Sequence, residues 1–364
     1  MKIIITGGGT AGHVNPAVAI AEEIMKREPD SEILFIGRDG GKENRAVEKL
    51  GLKTELLKVK GFSRKLFGGN IKALTLALSA QKKSKKIIKE FSPDAVLGTG
   101  GYVSWPVLTA AKKLRIPTLI HESNAIPGLV TKILASKCST VLLGYERALK
   151  KLPKSAKTLV VGNPLRNDFA VISRQNARKK LGIKEGEVFI VSFGGSGGAS
   201  TLNEAMVKLM NDVSVKDKRV RHIHASGERF YSLLDERNLK KGFRGCHILP
   251  YIEDMPTALM AADIAITRSG ALTLSELSYA KVASILIPSP NVTANHQYEN
   301  AKAISDSGGA ILIEESEDLY NKLKVELQGL IEDENKRRKL SEKIKNFASG
   351  DSAKKVYEQI KRLI

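Results

Sequence analysis

Short apolar runs alternate with amphipathic segments along the whole chain. In the first half, runs typical of buried strands occur at 2–6, 32–37, 94–98, 117–121, 139–143 and 158–161. Between them, the apolar period of about 3.6 residues indicates helices at 15–27, 42–50, 70–90, 104–114 and 127–136. This alternation predicts a mainly parallel sheet covered by helices on both faces.

The second half repeats the pattern. Strands are predicted at 188–193, 219–225, 246–249, 263–267, 283–287 and 310–313, and helices at 199–211, 228–237, 255–261, 271–280, 295–307, 316–331 and 333–347. A glycine and a proline within 160–166 mark the hinge between the halves. We therefore predict an α/β protein with two Rossmann-like domains, 1–162 and 163–350, and a final helix within 351–364 that packs back on the first domain.

Each half contains one glycine-rich turn between a predicted strand and a predicted helix. The turns read TGGGTAGH at 6–13 and FGGSGG at 193–198. Such turns leave backbone N–H groups at a helix amino end available to a phosphate. The pair predicts two nucleotide-binding-type domains facing each other across a cleft, one for a phosphate-bearing donor and one for an acceptor.

Composition narrows the class of protein. The 364 residues include only two cysteines, Cys138 and Cys246, which fits a reducing cytoplasm better than a disulfide framework. Met1 leads directly into a strand, so we expect no signal peptide. No apolar run approaches the roughly 18 to 20 residues that span a bilayer.

The net charge of +20 is concentrated in the first half. Residues 1–162 hold 28 Lys and Arg against 13 Asp and Glu, and the segment 56–89 holds ten cations and no acid. Apolar side chains interleave with these cations, as on a surface that docks on anionic lipid, where each cation adds about 1 kcal/mol. The predicted membrane contacts are Phe62, Phe67, Leu74, Lys82, Lys83, Lys85 and Lys86. A solvated helix face is the alternative, and nucleic acid is disfavoured because no recognised module accompanies the charge.

Candidate chemistry lies at the predicted strand ends. Glu276 stands about two turns into a helix that follows the small-residue turn at 268–270, where a carboxylate can accept two hydrogen bonds from a ribose diol. Gln297 lies in a polar stretch suited to sugar hydroxyls, and Arg166 is placed to offset phosphate charge. His13 follows the first glycine turn and is the candidate general base, since an imidazole has an unperturbed pKa of about 6.5.

Seven blocks of the chain together resemble the MurG family, the bacterial peptidoglycan transferases within glycosyltransferase family 28. The blocks are GGGTAGHVNPA at 7–17, GTGGYVSWPV at 98–107, HESNAIPG at 121–128, VVGNPLR at 160–166, FGGSGGASTLN at 193–203, RSGALTLSE at 268–276 and HQYENA at 296–301. The resemblance implies the GT-B fold, with the acceptor and membrane side in the first domain and the donor in the second. It implies transfer of N-acetylglucosamine from UDP-N-acetylglucosamine to lipid I, the undecaprenyl-diphosphate-linked muramoyl pentapeptide, giving lipid II, at the cytoplasmic face of the cell membrane and with no cofactor.

The same resemblance assigns residues to the donor and to the reacting sugars. The implied donor contacts are Thr10, Ala11, Gly12, Asn124, Arg166, Ser196, Ile252, Ala271, Leu272, Thr273, Leu274, Ser275, Glu276 and Gln297. His13 and Tyr102 match family positions near the reacting sugars, Tyr102 on the acceptor side. Two positions depart from the usual pattern: Ala11 replaces a frequent glycine, and His296 replaces the first of two glutamines.

The implied reaction is an inverting displacement in which the 4-hydroxyl of the muramoyl sugar attacks the anomeric carbon opposite UDP. Three alternatives remain at this stage. A related lipid glycosyltransferase shares the motifs, and a membrane-associated nucleotide-sugar sensor would lack turnover. An NADP-dependent oxidoreductase would use Gly7, Gly9, Gly12 and Arg38, but it leaves the second glycine turn unexplained.

The sequence predicts that transfer needs no metal. There is no Asp-x-Asp pair after a strand to hold a magnesium-bound diphosphate, and two glycine turns lead into helix amino ends that attract anions. We expect activity to survive excess EDTA in a transfer assay. Complete loss of activity that magnesium restores would show that a cation neutralises the diphosphate.

Overall fold

The structure, a computed structural model, describes residues 1–41, 45–61, 67–195, 199–234 and 245–364. The chain forms two compact units. The first comprises Met1–Asn167 together with Ser349–Ile364, and the second comprises Asp168–Ala348. The boundaries thus fall at 167/168 and 348/349, where the sequence places them at 162/163 and 350/351.

The first unit is built on a seven-stranded sheet. Its strands are β1 Lys2–Thr6, β2 Glu32–Arg38, β3 Lys53–Leu57, β4 Ala95–Gly98, β5 Thr118–Glu122, β6 Thr140–Leu143 and β7 Thr158–Val160. They lie in the order β3-β2-β1-β4-β5-β6-β7, and all six pairings are parallel. Its helices are α1 Ala11–Arg27, α2 Arg45–Glu48, α3 Phe67–Phe91, α4 Ser104–Lys113 and α5 Leu129–Leu134, followed by a short 3-10 helix at Glu146–Lys151.

The second unit contains a six-stranded parallel sheet. Its strands are β8 Val188–Phe193, β9 Val220–Ala225, β10 Cys246–Leu249, β11 Ile264–Thr267, β12 Ala283–Leu286 and β13 Ile311–Leu312, in the order β10-β9-β8-β11-β12-β13. The helices are α6 Asp168–Val171, α7 Arg174–Lys180, α8 Ser200–Leu209, α9 Glu228–Tyr231, α10 Met255–Ala261, α11 Ala271–Ala280, α12 His296–Ser305, α13 Leu319–Glu332 and α14 Glu334–Ile344. A π turn at Met210–Ser214 extends α8. The two parallel sheets confirm the predicted fold class.

The central strands are buried along their whole length because helices cover both faces of each sheet. All residues of β4 and β6 are buried, as are all residues of β8, β11 and β12. Strands buried on both faces lose the apolar–polar alternation that marks a half-exposed strand. Continuous apolar runs were therefore sufficient to locate them in the sequence.

The differences from prediction lie at the edges. Strand β3 was not predicted, because it is a partly exposed edge strand of sequence KTELL with only Leu57 buried. Helix α2 ends at Glu48, where the pattern continues to residue 50, and α6 and α7 were not predicted; residues 42–44 lie outside the described residues. Residues 235–244, which include the end of the helix predicted at 228–237, lie outside the described residues.

The C-terminal helix α15, Ser352–Lys361, belongs to the first unit, as expected for 351–364. Val356 and Ile360 are completely buried in the same apolar cluster as Ile20 and Ile24 of α1. At the rim of this contact, the Tyr357 hydroxyl donates to Glu28 at 2.8 Å, and the Lys361 ammonium lies 3.0 Å from the same carboxylate. The contact is therefore apolar at its centre and polar at its edge.

We predict that Ile360→Ala destabilises the first unit by about 2–5 kcal/mol, because it leaves a cavity between α15 and α1. The chain has one tryptophan, and Trp105 lies in α4 of this unit, so its fluorescence during urea unfolding reports on the first unit. Lys354→Ala, at a half-exposed position of the same helix, is the control and should change stability by less than about 0.5 kcal/mol. Equal effects of the two substitutions would contradict the buried contact.

Candidate functional site

In the first unit, the turns after β1 and β4 are packed directly against each other. Gly101 has a φ of +80°, and a Cβ at this residue would lie 1.9 Å from the Gly8 carbonyl oxygen. Gly100 has a φ of +108°, and its Cβ would contact the His13 ring at 2.6 Å. Only glycine permits both the left-handed backbone and this approach. The two turns therefore form one site at the carboxyl edge of the sheet.

The position and tautomer of His13 follow from its contacts. The residue lies in the first turn of α1, its main-chain oxygen accepts a 2.6 Å hydrogen bond from the Thr99 hydroxyl, and its ring is half-buried. Its Nδ1 lies 3.2 Å from the Gly8 carbonyl oxygen, which can only accept. The proton is therefore assigned to Nδ1 and the lone pair to Nε2. That tautomer is the one a general base requires.

A cavity of about 140 Å³ adjoins these turns. It is lined by Gly8 and Gly9, by two cations, Arg38 and Lys60, and by Tyr102. Tyr102 is 44% exposed, and its ring lies against Gly61, where a Cβ would come within 2.5 Å of it. Sequence reasoning missed Lys60 as a site residue because β3, which precedes it, was not predicted. The cavity has the size and charge for a small anionic group.

A buried carboxylate organises the turn after β5. Glu122 is 5% exposed and accepts hydrogen bonds from the backbone N–H of Asn124 at 3.0 Å, the Asn124 side-chain amide at 3.1 Å, the Gly128 N–H at 2.8 Å and the Thr131 hydroxyl at 2.7 Å. The Asn124 NH₂ is thereby fixed toward Glu122, so its oxygen points away as an acceptor. A glutamate that ends an otherwise apolar strand was the sequence signal for this arrangement.

His121 has a different role from His13. It is completely buried, its Nε2 donates to the Gly162 carbonyl at 3.0 Å, and burial lowers its pKa. Gly162 has a φ of +81°, and a Cβ there would collide with Ser349 and Ser352. His121 thus ties the end of β5 to both segments of the chain that pass between the two units.

In the second unit, the described candidate donor residues other than Ile252 follow the carboxyl ends of β11 and β12. Ser269 N–H and Ser289 N–H donate to the side-chain oxygen of Gln297 at 3.3 and 2.9 Å, so this amide joins the turns after β11 and β12. With its oxygen occupied, Gln297 presents its NH₂ group as a donor. Arg268, which is 8% exposed, forms an ion pair with Glu315 and donates to the carbonyls of Ile287 and Pro288, which fixes the same turn.

Helix α11 carries the run 271–276. Ala271, Leu272, Leu274 and Ser275 are buried, whereas Thr273 and Glu276 are half-buried. Thr273 and Glu276 are three residues apart and therefore share a face of the helix. Within this run, only the side chains of Thr273 and Glu276 reach the surface. The buried residues of the run can therefore contact a ligand only through their backbone groups.

The structure assigns the predicted residues to the two units as follows. The first contains Thr10, Ala11, Gly12, His13, Tyr102, Asn124 and Arg166; the second contains Ile252, which is 5% exposed, the run 271–276, and Gln297. Ala11 is the first residue of α1, a helical position that alanine readily adopts, so its replacement of glycine requires no unusual backbone. Ser196 lies outside the described residues.

The helices that follow these turns share an electrostatic feature. Helices α1, α4, α8 and α11 begin without a side-chain cap and without an acidic residue in the first turn. By contrast, Ser173, Asp254 and Asp333 cap α7, α10 and α14. The amino end of a helix carries a partial positive charge, which an acid would neutralise. The four helices therefore keep a potential that favours bound anions.

The predicted membrane segment is partly described. Phe62 and the side chain of Phe67 lie outside the described residues. On α3, Leu74 and Leu78 are 49% and 53% exposed. Lys82, Lys83, Lys85 and Lys86 are exposed, although Lys83 lies 3.5 Å from Glu55 and Lys86 lies 3.7 Å from Glu90. No helix in the described ranges is long and apolar enough to cross a bilayer.

No group of three or more His, Cys, Asp or Glu residues suited to a metal occurs in the part of the chain that the structure describes. The functional groups that the described candidate sites present are backbone N–H groups, the His13 imidazole, neutral amides and a few cations.

Comparison with known proteins assigns the chain to a family. The N-terminal domain of glycosyltransferase family 28 matches residues 3–143, and its C-terminal domain matches residues 189–362. Proteins named UDP-N-acetylglucosamine--N-acetylmuramyl-(pentapeptide) pyrophosphoryl-undecaprenol N-acetylglucosamine transferase are similar over the whole chain. The one from Acetivibrio thermocellus is 42% identical, with 100% of this chain and 98% of the relative covered, and that from Caldanaerobacter subterraneus subsp. tengcongensis is 38% identical, with 100% of both covered.

The crystal structure of MurG from Acinetobacter baumannii has the same fold, with a TM-score of 0.75, 24% identity and 99% of each chain covered. The sequence matches favour the transferase reading over the oxidoreductase alternative, because they include both halves and both glycine turns. The chain belongs to glycosyltransferase family 28.

Proposed function

We propose that this protein transfers N-acetylglucosamine from UDP-N-acetylglucosamine to the 4-hydroxyl of the muramoyl sugar of lipid I, giving lipid II for peptidoglycan. The observation that carries the proposal is the 42% identity, over the full length of the chain, to a relative named for this transfer. The geometry of both units supports it, since each sheet presents its turns and uncapped helices at one edge, where α/β sheets bind ligands.

The second unit binds the donor in this proposal. Glu276, on the accessible face of α11, accepts hydrogen bonds from the ribose diol, and Ile252 is a further donor contact. The NH₂ of Gln297 donates to the sugar. The amino ends of α8 and α11 stabilise the diphosphate, together with Ser196. Thr10, Ala11, Gly12, Asn124 and Arg166 complete the donor contacts that the family resemblance implies.

The first unit supplies the base and the acceptor site. His13 Nε2 takes the proton from the 4-hydroxyl as the new C–O bond forms at the anomeric carbon. The bond from that carbon to the diphosphate oxygen breaks, and UDP leaves with the electron pair. Tyr102, Arg38 and Lys60 surround the cavity in which the anionic part of the acceptor is bound. Positioning and electrostatic stabilisation supply most of the rate.

A transfer assay tests the function. UDP-N-acetylglucosamine and a lipid I analogue should give lipid II, with UDP-glucose as the control donor. His13→Ala should lower kcat by about 10²–10⁴-fold, the range for general-base catalysis, and leave UDP affinity unchanged. His247→Ala, an exposed histidine on β10, is the matched control. Absence of product with the natural donor and acceptor would refute the proposal.

We also propose that α3 docks the first unit on the cytoplasmic face of the membrane. The lipid tail of the acceptor remains in the bilayer, so the enzyme must reach it there. Leu74 and Leu78 provide exposed apolar contacts, and among the described residues Lys82 and Lys85 have no acidic partner. The alternative, a solvated helix face, predicts no binding to lipid.

Glu276→Ala should weaken UDP binding by roughly 1.5–3 kcal/mol, the range for hydrogen bonds to a charged group. Titration calorimetry with UDP measures the loss. Glu334→Ala removes an exposed glutamate at the start of α14 and should leave the affinity unaltered. If UDP binds both variants equally well, Glu276 has no part in donor binding.

Replacing Leu74 with Ser, and Lys82 and Lys85 with Gln, should reduce binding to anionic vesicles and transfer to full-length lipid I. Transfer to a short-chain soluble analogue should persist. Binding should also weaken with salt, since exposed charges are screened over about 10 Å at 0.1 M. The control variant carries Lys339→Gln and Lys343→Gln, two exposed lysines of α14. Equal loss with both acceptors would show that α3 has a structural role.

A further inference from the structure

Five buried polar side chains form a continuous hydrogen-bonded chain inside the second unit, which we call the histidine chain: Ser214, His222, Ser192, His224 and Asn203. Consecutive members are separated by 2.9, 2.8, 2.8 and 3.2 Å. None of the five is more than 1% exposed. The proposed mechanism uses none of them, so their burial requires another explanation.

The direction of the histidine chain is fixed at one end. The Asn203 NH₂ group donates to the Ser226 carbonyl oxygen at 2.8 Å, which turns its oxygen toward His224 Nε2. His224 must then donate from Nε2 and accept the Ser192 hydroxyl at Nδ1. Ser192 in turn accepts from His222 Nε2, and His222 Nδ1 accepts from Ser214. Every ring nitrogen has one partner and one role.

In this arrangement the Nδ1 of each ring accepts from a serine hydroxyl, which is the pattern of two neutral imidazoles. Burial lowers the pKa of His222 to about 3 and that of His224 to about 4, so both rings are neutral near pH 7. A polar group that is buried and fully hydrogen-bonded is costly to displace. The histidine chain is therefore a rigid element.

Both ends of the histidine chain attach to the same helical segment. Asn203 lies in the first turn of α8, where its N–H closes the first helical hydrogen bond to Ala199 at 2.8 Å. Ser214 ends the π turn that follows α8. Between them the links run through Ser192 of β8 and the two histidines of β9. The helix is thus bound to the sheet at its beginning and just beyond its end.

Asn203 also connects two turns at the carboxyl edge of the sheet. Ser226, its acceptor, directly follows β9, and α8 begins after the glycine turn that follows β8. A rotation or a shift of α8 along its axis would break the bonds of Asn203 on both sides. The Asn203 amide therefore helps to fix the direction of the first-turn N–H groups of α8.

We propose that Asn203 and His224 are positioning residues for the diphosphate of the donor. They hold the amino end of α8 against the sheet in the orientation that its N–H groups need to meet the phosphate oxygens. The inference rests on the proposed function, because it takes the α8 amino end to be the diphosphate site. A purely structural role would stabilise the fold and leave ligand affinity untouched.

The experiment compares UDP with uridine, which lacks the diphosphate. Asn203→Ala should weaken UDP binding about tenfold, the equivalent of one hydrogen bond's free energy, and change uridine binding little. His224→Leu should act in the same direction. His224→Gln should restore most of the affinity, because a glutamine NH₂ can replace Nε2 as the donor to Asn203. The variants that weaken UDP binding should raise the KM for UDP-N-acetylglucosamine by a similar factor. The KM for the acceptor should change less.

Leu209→Ala is the matched control, since Leu209 is completely buried on the same helix and lies outside the histidine chain. It should lower the unfolding midpoint and preserve the ratio of UDP to uridine affinity. If Leu209→Ala and Asn203→Ala change that ratio equally, or if Asn203→Ala does not change it, the positioning role is overturned. If Glu276→Ala also fails to weaken UDP binding, the proposed donor site itself is wrong. A failure of the proposed donor site is thereby distinguished from a failure of the positioning role alone.

Discussion

Parallel strand pairing places every strand-to-helix turn of a unit at one edge of its sheet, and the chemistry of this protein depends on that constraint. The turns after β1, β4 and β5 lie at this edge in the first unit, and those after β11 and β12 lie at it in the second. Each turn is followed by a helix whose amino end faces the same edge. Residues more than a hundred positions apart in sequence, such as His13 and Asn124, thus lie at one edge of the same sheet.

The uncapped helix ends at these edges carry a cost in stability. A side-chain cap typically stabilises a helix by about 1 kcal/mol, and α1, α4, α8 and α11 have none. Side-chain caps occur on α7, α10 and α14. A cap at α8 or α11 would occupy the N–H groups that a phosphate needs. Binding of the anion then supplies the missing partner.

The sequence predicted most of the fold because the central strands of both sheets are buried on both faces. Strands such as β4 and β8 appear as short runs that are almost entirely apolar. The same reasoning failed at β3, because its exposed residues interrupt the apolar run. Since β3 was missed, the contribution of Lys60 to the cavity was missed too. Helices α2 and α9 end at Glu48 and Tyr231, earlier than the sequence pattern places their ends, because local periodicity does not report where tertiary packing stops.

The candidate site was predictable in its residue types and only partly in their roles. Glycine turns, His13 and Glu276 followed from motifs, but the engagement of the Gln297 oxygen by two backbone N–H groups depends on the meeting of two turns distant in sequence. The histidine chain had a local signal, since His222 and His224 are two residues apart on one strand and so share a face. Their partners on β8 and α8 come from tertiary structure alone.

Buried polar groups lie next to the turns at both sheet edges, and they hold in place turns that glycine alone would leave unsupported. Glycine allows close approach of backbone to ligand, but it adds no side chain that could hold the turn in place. In the first unit, Thr99 binds the His13 carbonyl and Glu122 gathers four donors of the next turn. In the second unit, the turns are held by hydrogen bonds from Arg268, to Gln297 and within the histidine chain. Because such networks are costly to break once buried, they give flexible turns the fixed geometry that transfer chemistry requires.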